Sequence, residues 1–139
     1  MEFRLAVKED FKQYLITKKG FFENYGISEK SKEFILKEFN KLLSKGAIIL
    51  AVENSVVGYL AGEIEDSSYE RVGYISEVFV TREYRNKGIS TKLKDKFLEF
   101  LRKKKIKICR LEVSLHNPAK EVYSKWGFKI DKYRMSLHL

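Results

Sequence analysis

Apolar residues recur along the chain at two spacings, and the change from one to the other marks most of its elements. Residues 2–7, Glu2-Phe3-Arg4-Leu5-Ala6-Val7, alternate loosely, as a half-buried first strand does. Phe11, Tyr14 and Leu15 stand at helical spacing, and Gly20 offers that helix an end. Residues 21–28 are then expected to form an aromatic loop. Ile35, Phe39, Leu42 and Leu43 line one face of a helix over 29–45, closed by Gly46. The spacing then shortens. Residues 47–52 and 56–64 are apolar, β-branched runs joined through Glu53-Asn54-Ser55 as a hairpin, and 72–80 is a further strand. Ile89, Leu93, Phe97 and Leu101 predict an amphipathic helix over 89–104, followed by a strand over 106–113. Pro118 suits the first turn of a short helix over 118–126, and Gly127 its end. Tyr133–Leu137 is expected to be a last strand. The order β-α-α-β-β-β-α-β-α-β implies a mixed α/β architecture with a crossover helix between two parallel strands. No repeat or Pro/Gly-rich linker interrupts it, so residues 1–139 are expected to form a single domain.

Composition narrows the class. A hydrophobic content of 44% excludes a disordered or collagen-like chain. No apolar run approaches the roughly 20 residues of a membrane span, and Met1–Leu5 lacks the character of a signal peptide, so a cytoplasmic protein is expected. Cys109 is the only cysteine, which excludes an intrachain disulfide. With His116 and His138 far apart, no metal site is expected either.

Charge changes the picture most. The net charge is +9, and residues 71–139 hold 18 of the 28 basic side chains but 7 of the 19 acidic ones. Such asymmetry suggests an anionic partner for that half. Within it, Val78-Phe79-Val80-Thr81-Arg82-Glu83-Tyr84-Arg85-Asn86-Lys87-Gly88-Ile89-Ser90-Thr91 runs from a strand end through a basic loop into a helix. Unpaired N–H groups and a partial positive charge at a helix start favour phosphate, and Gly88 allows close backbone approach. The pattern is neither GxxxxGK[ST] nor GxGxxG. Residue types alone leave a phosphate site and a solvated turn equally open. A basic nucleic-acid-binding module is a third reading, with Tyr84, Phe97 and Phe100 among the charges. Against it, Phe97 and Phe100 belong to the helix's apolar stripe, and no helix-turn-helix, RRM or zinc pattern is present.

Arg85-Asn86-Lys87-Gly88-Ile89-Ser90 resembles the R/Q-x-x-G-x-G/A signature of the GNAT acyltransferases. Ile75–Val80 resembles that family's fourth strand, and Leu111-Glu112-Val113 with Asn117 its fifth strand and following loop. Tyr123-Ser124-Lys125-Trp126-Gly127-Phe128 resembles its Y-x-x-x-G-F helix end, and Arg4-Leu5-Ala6-Val7-Lys8-Glu9-Asp10 its R-x-A-x-x-x-D opening. Together these segments span nearly the whole chain in the family's order. The resemblance implies an α/β GNAT fold: a mixed central sheet of about six to seven strands flanked by about four helices, with splayed fourth and fifth strands.

It also implies an N-acetyltransferase moving an acetyl group from acetyl-CoA to a primary amine by direct attack in a ternary complex. The backbone of Asn86, Lys87, Gly88, Ile89, Ser90 and Thr91, with Arg85, would hold the pyrophosphate. Val78, Phe79 and Val80 would pair with the pantetheine arm, and Phe79 or Val80 would supply an oxyanion N–H. A protein N-terminus, a lysine side chain, a small amine and a polyamine all stay open as acceptor. A CoA-binding but non-catalytic member is a further alternative, and because dimers are common in the family a homodimer stays open. Two departures stand out. Ser90 replaces the last signature Gly or Ala, and adds a hydroxyl. Asn117 lies six residues before Tyr123 where seven is usual, so either Asn117 keeps the family role or His116 takes it.

The chemistry needs a proton acceptor, because an amine with a pKa near 10.4 arrives protonated. It also needs oxyanion donors and a proton for the thiolate. Glu112 and Glu77 both interrupt β-rich runs and are the candidate bases, with Glu112 matching a family glutamate. Alternation would place Ile75, Glu77 and Phe79 on one face of their strand. Tyr123 is the candidate acid. Phe21, Phe22 and Tyr25 are candidates to wall the acceptor site. Glu63, Glu65, Asp66 and Glu70 could attract a cation or form a solvated turn. Cys109 fits a buried structural thiol.

Overall fold

The computed structural model describes residues 1–139. Its five strands are β1 (Glu2–Leu5), β2 (Gly46–Glu53), β3 (Ser55–Asp66), β4 (Arg71–Val80) and β5 (Cys109–Leu111). Four helices accompany them: α1 (Phe11–Tyr25), α2 (Lys32–Lys45), α3 (Ile89–Lys103) and α4 (Ala119–Lys125). The strands lie side by side in chain order, antiparallel from β1 to β4, with β5 parallel to β4 across the α3 crossover.

The sheet is covered on both faces, which explains why β2 and β3 are almost continuously apolar. Tyr14, Phe22, Ile35 and Phe39 of α1 and α2 pack on Ile48, Leu50, Tyr59 and Phe79. Ile89, Leu93, Phe97 and Leu101 of α3 pack on Ala47, Ile49, Leu60 and Ile75 from the other side. Gly62 and Gly73 let α3 settle close, since a Cβ at either would collide with the side chain of Phe97 or Leu101.

Three expectations are corrected. Helix α1 does not end at Gly20 but runs to Tyr25 and stops at Gly26, which takes φ 60°. Phe21, Phe22 and Tyr25 thus belong to its last turns: Phe22 is buried and Phe21 packs partly buried against the core, which offsets the roughly 1 kcal/mol that a mid-helix glycine costs, while Tyr25 is exposed. The strand expected over 106–113 is paired only at Cys109–Leu111. No strand forms at Tyr133–Leu137, where Tyr133, Met135 and Leu137 are exposed, so the sheet has five strands rather than six or seven.

A fourth correction concerns faces. Ala61 pairs with Glu77 but the next residue, Gly62, pairs with Ile75, leaving Ser76 as an extra residue in β4. This bulge reverses the alternation. Ile75 faces α3, whereas Glu77 and Phe79 face α1, so the three do not share a side.

Candidate functional site

Pairing between β4 and β5 stops at Ile75 and Leu111, one residue before the bulge, while β4 continues to Val80. Beyond that point the edge of β4 is open. The Thr81 N–H donates to the Val57 carbonyl (2.9 Å). Antiparallel alternation then turns the Phe79 N–H toward β3, and the N–H groups of Val78 and Val80 toward the open side.

A groove of about 450 Å³ follows this edge. It is lined by Asn24 and Tyr25 from the end of α1, Val78–Val80 from β4, Tyr84, Arg85 and Asn86 from the loop, and Gly88, Ile89, Ser90 and Thr91. Asn86 (φ 60°) and Gly88 (φ 77°) are both left-handed, which folds the loop back so that α3 starts facing the groove. No side chain caps that helix start, and nothing lies within 4 Å of where a Gly88 Cβ would stand. An uncapped helix N-terminus over open space, with Lys87 just before it and Lys92 in its first turn with the ammonium over the Phe3 ring, suits an anionic ligand. The expected donor-binding residues therefore converge here, except Lys87 and Asn117, which lie outside the groove's lining.

Arg85 does more than its charge suggests. Its Nε donates to the Val80 carbonyl (2.8 Å), its guanidinium donates to Asn24 Oδ1 (3.0 Å), and its plane lies over the Phe79 ring. It ties the loop to the end of β4 and to α1. Asn24 was not singled out by the sequence, because its partner lies 61 residues away.

The two candidate bases sit in different surroundings. Glu112 is 69% exposed and pairs with Arg134 (3.3 Å), near the Tyr74 phenol. Burial first, and then that carboxylate, push Tyr74 up to about 12. Glu77 is 17% exposed. Lys18 Nζ reaches both its oxygens (2.7 and 2.6 Å), and the Tyr59 hydroxyl donates to one of them. Burial, followed by the Glu77 charge, pushes both Tyr59 and Tyr14 well above the usual phenol range. Lys18 and Tyr59 are the functional candidates that the sequence reading missed. The available signal was a lysine on the apolar face of α1, between Tyr14 and Phe22.

Tyr123 is half-buried in α4 near Trp126 (ring centroids 5.4 Å). Desolvation, and to a lesser degree nearby Tyr25, raise its phenol above the usual value, so it holds its proton at neutral pH. The Trp126 indole N–H donates to Thr91 Oγ1 (3.1 Å), which fixes α4 against the start of α3. Asn117 Oδ1 accepts the Ala119 N–H (2.9 Å) and so shapes the start of α4, while His116 is exposed.

Other candidates are placed elsewhere. Glu63, Asp66 and Glu70 pair with Lys41, Arg71 and Arg110. Burial pushes the Cys109 thiol up to about 11, consistent with a structural thiol. Phe97 is fully buried and so offers no ring for base stacking, while the partly buried Phe100 stacks on it with the Lys104 ammonium over its ring. No helix is long and apolar enough to cross a membrane.

Residues 8–128 match the model of the acetyltransferase (GNAT) family. An uncharacterized N-acetyltransferase of Archaeoglobus fulgidus is 32% identical over 127 residues, covering 84% of each chain. An uncharacterized N-acetyltransferase of Methanocaldococcus jannaschii is 29% identical over 126 residues, covering 87% of this chain and 56% of that protein. Among solved structures, a predicted acetyltransferase of Clostridium acetobutylicum with acetyl-CoA superposes with a TM-score of 0.82. It is 22% identical, with 99% of this chain and 95% of that one covered, and so bears on the fold.

Proposed function

Because the chain belongs to the acetyltransferase (GNAT) family and is an acyltransferase, we propose that it transfers an acetyl group from acetyl-CoA to a primary amine by direct attack in a ternary complex. The observation supporting this most is the groove itself: an open strand edge leading to an uncapped, glycine-started helix. The N–H groups of Gly88, Ile89, Ser90 and Thr91 would hold the phosphates, with Lys87 and Lys92 adding charge. Acetyl-CoA supplies the activated acyl group. The Val78 and Val80 backbones, facing the open side, serve the pantetheine amides and the oxyanion. Tyr123, held protonated by its surroundings, serves the departing thiolate. Glu77 or Glu112 takes the proton from the amine. Asn117 acts indirectly, by fixing the start of the helix that bears Tyr123.

At the finer level, we take the acceptor to be a protein N-terminus or lysine, with a small amine or polyamine as alternative. We take residues 1–139 to form one cytoplasmic acetyltransferase domain, with a homodimer open as its assembly. The test is release of CoA thiol from acetyl-CoA across a panel of peptide N-termini, lysine peptides and polyamines. Amine-dependent release is expected. Inertness toward every amine, together with salt-sensitive RNA or DNA binding, would replace this reading with the nucleic-acid one. Tyr123→Phe should lower kcat about a hundredfold with CoA affinity within about twofold of wild type. A collapse of CoA binding would instead mark Tyr123 as a packing residue.

A further inference from the structure

Lys18 is buried to 8% exposure on the apolar side of α1, yet it belongs to no part of the CoA groove. Its ammonium contacts both Glu77 oxygens and lies 4.7 and 5.4 Å from the ring centroids of Phe21 and Phe22. Tyr59 completes the enclosure with its hydroxyl on Glu77 and its ring 5.9 Å from the ammonium. Stability is a weak explanation for this arrangement. A buried ion pair loses much of its attraction to desolvation, and apolar residues of similar volume often do as well or better. What the pair does achieve is to fix one carboxylate, immediately after the Ser76 bulge and two residues before Phe79, which lines the groove.

We propose that Lys18 is a positioning residue for Glu77, holding its carboxylate oriented to take the proton of the acceptor amine. The inference rests on the acetyltransferase reading and chooses Glu77 over Glu112 as proton acceptor. In the step, an N–H bond of the acceptor ammonium breaks and its proton forms an O–H bond on Glu77, directly or through one water. The freed nitrogen lone pair then attacks the thioester. The titratable groups facing Glu77 are Lys18 and Tyr14 from α1 and Tyr59 from β3, with Glu38 of α2 and Tyr25 acting on those tyrosines. Both tyrosines stay neutral at assay pH, so Lys18 is the cation among them.

The experiment compares kcat–pH profiles for wild type, Lys18→Met, Lys18→Arg, Glu77→Gln and the Lys18→Met/Glu77→Gln double variant. CoA affinity by calorimetry and a thermal melt accompany each. Removing an opposite charge from beside a half-buried carboxylate should move the acid limb in Lys18→Met up by about one pH unit or more. CoA affinity should stay within about twofold of wild type. Lys18→Arg should restore the limb, and Lys18→Met should change nothing further in the Glu77→Gln background. If Lys18→Met melts below assay temperature, Lys18→Gln serves as the same arm. A Lys18→Met profile superimposable on wild type, or an equal shift without Glu77, would overturn the proposal. A wild-type profile in Glu77→Gln would also overturn it, placing the base elsewhere while leaving the acetyltransferase reading intact. Absence of amine-dependent thiol release by wild type would remove that reading and the proposal together.

Discussion

At Gly88 two requirements meet in one residue. Its φ of 77° is strained for any side chain, and the space where a Cβ would stand is open to the groove. A left-handed conformation costs a non-glycine residue about 1–2 kcal/mol, and a branched side chain would also obstruct the phosphates. Gly88→Val should therefore weaken CoA binding at least about tenfold, read by calorimetric titration, with helix content by circular dichroism preserved. Gly88→Ala, adding a single methyl, should lose less. Equal affinities in all three proteins would remove the loop from the donor site. A second residue-scale effect concerns Tyr14, whose phenol is buried and raised by desolvation. Its folded state holds a proton that the unfolded chain releases near pH 10. Stability is therefore full below that value and falls as pH rises beyond it. Urea melts from pH 8 to 11 should show a decline above about pH 10 that is shallower in Tyr14→Phe; identical slopes would contradict the assignment.

The elements show which parts of the site were legible in the sequence. The loop from Arg85 to Thr91 was legible because everything it needs is contiguous: glycine, small residues, basic flanks and a helix start. The N-terminal Arg4…Asp10 pattern also has a local cause, since Arg4 clamps Asp10 through two bonds (2.7 and 2.8 Å) and Asp10 accepts the Val7 N–H. The side on which Glu77 lies was not legible. Strict alternation puts it with Ile75, and only the pairing of β4 with β3, distant in sequence, reveals Ser76 as an extra residue. Lys18 was hidden for the same reason, its partner being 59 residues away. The bulge itself is testable. Inserting one residue between Ala61 and Gly62, opposite Ser76, restores strict alternation and must either slip the register or place Glu77 and Phe79 on the side of Ile75, leaving the buried Lys18 charge without its partner. Breaking such a pair typically costs about 3–5 kcal/mol, so the insertion variant should melt far below wild type and lose acetyl transfer, whereas deleting Ser76 keeps Glu77 and Ile75 on their own sides. An insertion variant with wild-type stability would show that the bulge does not set these faces.

For the whole molecule, the question is how much of the +9 charge serves the groove. Arg85 is engaged with Val80 and Asn24, which leaves Lys87 and Lys92 as the cations nearest the start of α3. Lys103, Lys104 and Lys105 stand at its far end, roughly 22 Å away at 1.5 Å per residue. There Lys103 pairs with Glu99 (3.2 Å) and Lys104 lies over the Phe100 ring. That distance exceeds the Debye length of about 8 Å at physiological salt more than twofold. Cations at a helix C-terminus are favoured by its dipole whatever the ligand, so the distal cluster is accounted for without CoA. Replacing Lys103, Lys104 and Lys105 together by alanine should leave CoA affinity within about twofold at 0.15 M salt. Lys87→Ala with Lys92→Ala, removing one charge fewer, should weaken binding several-fold and flatten its salt dependence. Calorimetric titrations at about 0.05 and 0.3 M salt decide between local and global attraction. If the distal triple variant loses as much affinity as the proximal double one, the charge acts through the field of the whole half-molecule. If only the proximal variant loses affinity, the groove draws its ligand with two lysines and a helix end, and the remaining basicity belongs to α3 itself.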